Sequence, residues 1–122
     1  MARQTLTKVS ALGTFPTLPL TANSVDLTFV AADATNKEQF VSSGKDLVLA
    51  YNSGVSTRTV TFTSVAHPKT GRTGDITTYS MQAGEYAVFG PFEREGWQQA
   101  DGNIYMEASH ADVKWIVIAL PQ

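Results

Sequence analysis

From Ala83 to Leu120 turn signals and short strand-like runs follow one another so closely that no helix of ordinary length fits between them. Ala83-Gly84 is a turn, Tyr86 to Phe89 a strand, Gly90-Pro91 a break, and Asp101-Gly102 another turn. Asn103 to Ala108 then alternates, with Ile104 and Met106 on one face and Tyr105 and Glu107 on the other. Lys114 to Leu120 is apolar on both faces, which predicts a strand in the middle of a sheet.

The same pattern extends upstream. Val25, Leu27 and Phe29 alternate with Asp26 and Thr28, the period of a half-buried strand over 25–30. Gln39 to Ser42 is a short strand. Asp46 to Tyr51 is more continuously apolar and is expected to be central. Arg58 to Val65 sets Val60 and Phe62 against Thr59, Thr61 and Thr63, and branched Thr suits a pleated surface. With Asn52-Ser53-Gly54 between them, 46–51 and 58–65 read as a hairpin. Asp75 to Ser80 is polar and predicts an edge strand. No segment holds a helical period over three turns. The reading is an all-β protein: one antiparallel β-sandwich, jelly roll or related, over 25–122. A length of 122 residues suits one domain.

Residues 1–24 read differently. Arg3 and Lys8 are their only charges, and Pro16 and Pro19 exclude a helix and demote any strand to an edge. They are expected to form an extended N-terminal arm, with an edge strand as the alternative.

The chemistry of the chain is sparse. Net charge is −2, and no Lys/Arg stripe offers a face for phosphates, so no nucleic acid is expected as a partner. Cysteine is absent, which removes disulfides and thiolate metal sites. No apolar run reaches membrane-spanning length, and no leader-like segment is read, so a soluble protein with no membrane partner is expected. His67 and His110 stand singly in turns, and the carboxylates sit at turns or exposed strand positions. No nucleophile elbow or phosphate loop appears. The expectation is therefore no enzyme, no cofactor, no metal and no small-molecule substrate. Trp115 reads as core. Trp97 reads as a loop aromatic that, with Tyr86, Phe92 and Tyr105, would form a sticky patch suited to a protein contact.

Gly44-Lys45-Asp46-Leu47-Val48-Leu49-Ala50-Tyr51-Asn52-Ser53-Gly54, the Thr59 to Thr63 strand, Ala83-Gly84-Glu85, Gly90-Pro91-Phe92 and Ala100-Asp101-Gly102-Asn103-Ile104-Tyr105 are followed by a final apolar strand. Together this order resembles capsid decoration (cement) proteins of tailed bacteriophages, over about Lys37 to Leu120. The resemblance implies a virion protein, made in the host cytoplasm, on the outer surface of the capsid. It would bridge major capsid protein subunits, often as a homotrimer. Within that implication the expected contact residues are Arg3, Leu6, Val9 and Leu12 in the arm and Phe92 and Trp97 in the loop. Two other readings fit the same residues: another virion part, at the head–tail joint or in the tail, and a carbohydrate-binding β-sandwich module. A small hydrolase fits least.

Overall fold

The structure, a computed structural model, describes residues 2–11 and 25–121. Ten strands are formed among them: β1 (Gln4–Thr5), β2 (Lys8–Ser10), β3 (Val30–Ala31), β4 (Glu38–Val41), β5 (Asp46–Asn52), β6 (Arg58–Thr63), β7 (Ile76–Met81), β8 (Tyr86–Phe92), β9 (Asn103–Ala108) and β10 (Val113–Ala119). No α-helix occurs among the described residues.

Pairing follows a mirror rule. β3 pairs with β10, β4 with β9, β5 with β8 and β6 with β7, each antiparallel. The chain is thus a long hairpin, folded tip at residues 64–75, rolled up so that β10 also meets β5 and β9 also meets β6. The resulting sheets, β3-β10-β5-β8 and β4-β9-β6-β7, pack face to face as a jelly-roll β-sandwich. β1 adds to the second sheet, parallel to β4, and β2 adds to the first, parallel to β10.

Alternation builds the core. β5 buries Asp46, Val48, Ala50 and Asn52 and turns Leu47, Leu49 and Tyr51 outward, and β9 buries Ile104, Met106 and Ala108. Phe62 is a hub, with ring centroids of Phe89 at 4.8 Å, Phe92 at 5.0 Å and Trp115 at 6.1 Å. Each such fully buried side chain stabilises the fold by about 1.5–3 kcal/mol relative to exposure.

Several expectations from the sequence are corrected. The predicted hairpin of 46–51 and 58–65 does not form: β5 and β6 lie in opposite sheets. Both strands present an apolar face to the same core, so the 53–57 connection crosses the sandwich edge instead of turning back within a sheet. Of the predicted 25–30 strand only Val30 pairs, together with Ala31 beyond it, because β2 already occupies the same side of β10 at Val117 to Ala119. Gly90-Pro91 does not end β8, which continues through a cis Gly90–Pro91 peptide to Phe92. Proline is tolerated because, among the described residues, β8 is an edge strand with no ladder partner on its far side. Gly90 is required there: its φ is +106°, and a Cβ would lie 2.6 Å from the Asp46 carbonyl oxygen.

Candidate interaction surface

The N-terminal residues close one side of the sandwich. Arg3 lies 4.1 Å from the centroid of the Tyr105 ring and donates hydrogen bonds to the carbonyls of Glu38 (3.0 Å) and Met106 (3.2 Å). Leu6, where the chain steps from one sheet to the other, is 6% exposed and part of the core. Lys8 donates to the Val41 carbonyl at 2.8 Å and sits 3.3 Å from the fully buried Asp46 carboxylate. Asp46 also accepts the Ser43 backbone N–H at 2.8 Å. Val9 pairs with Ile118 and is half-buried. The extended-arm expectation is corrected for these residues: 4–5 and 8–10 are edge strands of the chain's own sheets. Leu12 lies outside the described residues.

Beneath this closure lies Glu38, fully buried at the start of β4. It accepts the Trp115 indole N–H at 3.1 Å and the Asp33 backbone N–H. Burial pushes the Glu38 carboxyl above its ordinary value, and the two hydrogen bonds only partly oppose that. At the surface nearby, the Tyr105 hydroxyl donates to Asp101 at 2.7 Å and holds that carboxylate below its usual range.

Among the described residues the opposite side is open. It is bounded by β7 and β8, the last strands of their sheets, and neither contains a charged residue. On the outward face of β8, Tyr86 and Val88 are 68% and 59% exposed. Tyr86 stacks on Tyr51 at 4.2 Å, and Phe29 covers both rings at 5.8 and 6.3 Å. Val88 faces Leu49 across the strand pair. On β7, Tyr79 is 47% exposed and meets Phe89 edge-on at 5.4 Å. The result is an apolar, aromatic surface beside an unpaired strand edge, the combination that natural proteins otherwise suppress with charge.

Phe92 and Trp97 do not form the predicted patch. Phe92 is 2% exposed and belongs to the core, because β8 continues past Pro91. Trp97 is partly buried against it, with ring centroids 4.9 Å apart. Tyr105 lies under Arg3, and Tyr86 lies on the outer face of the other sheet. The patch that does form, Phe29-Tyr51-Tyr86-Val88, was not found from the sequence. Its signal was present: β8 carries apolar residues at both parities yet contains a proline, which marks a strand at a sheet edge with apolar side chains on both faces.

No protein-family model, curated protein or solved structure matches the chain. Among the described residues no group of three or more His, Asp or Glu is placed to hold a metal ion.

Proposed function

We propose that this protein is a virion structural component that binds the outer surface of an assembled capsid and stabilises it by bridging major capsid protein subunits, acting as a homotrimer. The observation that carries the reading is the uncharged β8 edge with its exposed Tyr86 and Val88. Such an edge takes a partner strand through its free backbone groups, and the flanking aromatics supply the anchoring contact. Jelly rolls recur in viral capsid and lectin domains, which supports the reading at the level of fold analogy only. The sequence resemblance to decoration proteins supports the more specific role. Many copies on a repeating lattice gain effective concentration, so each contact can be modest.

Contact through the N-terminal residues Arg3, Leu6 and Val9 is less favoured, because Arg3, Leu6 and the neighbouring Lys8 are engaged within their own chain. Contact through β8 replaces it. Co-sedimentation with mature heads lacking the protein is the test, run with the natural chain and Val88→Lys. Saturable binding that the substitution abolishes is expected. Absence of binding by the natural chain overturns the capsid reading, and equal binding by both overturns the β8 contact.

A further inference from the structure

A second site, away from the exposed face of β8, lies at the tip of the rolled hairpin. A cleft of about 340 Å³ runs between the 64–74 loop and the turn at 95–97, within the size range of small-molecule sites. Its walls are held by hydrogen bonds. Ser64 donates from its backbone and hydroxyl to Asp75 at 2.8 and 2.6 Å, and these bonds keep the Asp75 carboxyl below its usual range. Val65 N–H donates to the Gly96 carbonyl at 2.8 Å, joining the two walls. The 67–72 segment closes on itself through His67 N–H to the Arg72 carbonyl (2.8 Å) and Gly71 N–H to the His67 carbonyl (2.7 Å).

Across the cleft His67 Nε2 stands 3.2 Å from Glu95 Oε2, while His67 Nδ1 accepts the Lys69 backbone N–H at 3.2 Å. The Nδ1 bond places the imidazole proton on Nε2, directed at Glu95. Glu95 is therefore partnered. Arg72, Thr73 and Trp97 line the same cleft, and the Arg72 guanidinium, the Thr73 hydroxyl and the Trp97 indole N–H have no hydrogen-bond partner among the described residues. Val65 and the Trp97 ring add apolar lining.

This set has a defined complement. An unengaged guanidinium matches a carboxylate, two oxygens to its planar fork. Hydroxyl and indole donors, with the free face of the Glu95 carboxylate as acceptor, match the hydroxyls of a polyol. The apolar lining matches the C–H face of a sugar ring. We infer that the cleft binds an acidic saccharide residue, of the uronic acid class, with its carboxylate on Arg72.

Nitrogen-labelled protein would be titrated with tetragalacturonate and, in parallel, with neutral maltotetraose, following backbone amide shifts. The expected result is shifts confined to 64–74 and 95–97 with tetragalacturonate only. Arg72→Ala, at an exposed position where the fold is insensitive, should weaken binding about tenfold or more. Thr73→Ala should weaken it less. No shifts at about 10 mM ligand, a response equal for both sugars, or an affinity unchanged in Arg72→Ala would each overturn the inference. Because Val88→Lys leaves this cleft untouched, failure here and failure of head binding are separate outcomes.

Discussion

The two lateral sides of the sandwich carry opposite chemistry. One is closed by β1, β2 and β3, with Arg3 over Tyr105, Lys8 beside buried Asp46, and Glu38 holding Trp115. The other ends in β7 and β8, with no charge and with Tyr79, Tyr86 and Val88 exposed. Both sides end in edge strands. On the first, charged side chains cover the edge, with Arg3 and Lys8 donating to the carbonyls of Glu38, Met106 and Val41. On the second, among the described residues, the edge strands carry an aromatic face and no charge. Interaction capacity is therefore read from where edge protection is missing, not from where charge is concentrated.

The largest expected effect is on the closed side. Glu38→Ala removes the acceptor of the buried Trp115 indole N–H and of the partly buried Asp33 N–H and opens a void, and should lower unfolding free energy by about 3 kcal/mol in urea titration. A loss below about 1 kcal/mol would mean that the closure is not an energetic feature. Asp46→Ala strips the Ser43 N–H and Lys8 of their partner and should cost about 2 kcal/mol by the same measurement.

The Glu38 contrast can also be sharpened by pH. Its folded-state carboxyl is raised, so the folded protein binds more protons than the unfolded chain just above the ordinary value of 4.5. Stability should therefore fall as pH rises from about 4.5 through the raised value, and level off beyond it. Asp33, Asp75 and Asp101 are lowered, so they act on the acid flank: their contribution is lost as pH falls below 3.8. In Glu38→Gln the decline above 4.5 should vanish while the acid flank remains, as measured by thermal unfolding across pH. An unchanged decline would assign it to another group.

The smallest stability effects belong to the open side. Tyr86→Asp and Val88→Lys should change the unfolding free energy of the isolated chain by no more than about 0.5–1 kcal/mol while removing partner binding. A large destabilisation instead would show the Tyr51-Tyr86 stack to be structural.

Strand content was largely legible. The Thr-against-apolar alternation of β6, the central apolar run of β10 and the polar β7 at an edge all read directly from residue type. What failed was pairing. Periodicity reports which side of a strand is buried but not against which strand, and β5 and β6 bury the same parity whether they are neighbours in a sheet or opposed across a core. The N-terminal clasp was hidden for a different reason: Arg3 and Lys8 find partners 33 to 103 residues away, which no local pattern encodes. Trp97 was placed correctly in a loop. Its burial depended on Phe92, and that depended on a strand continuing through Gly90-Pro91.

The mirror pairing has a consequence during synthesis. No two of β3, β4, β5 and β6 hydrogen-bond to one another. As the chain leaves the ribosome, β4 has only the two-residue β1 to pair with, and β3, β5 and β6 must wait for partners not yet made. β7 pairs with β6; β8 and β9 then find β5, β4 and β6; β10 arrives last to take β5, β3 and β2. The Glu38–Trp115 bond, spanning 77 residues, forms only at that final step. The nascent first half thus carries several exposed strand edges at once, which makes its passage off the ribosome a point of dependence on chaperones.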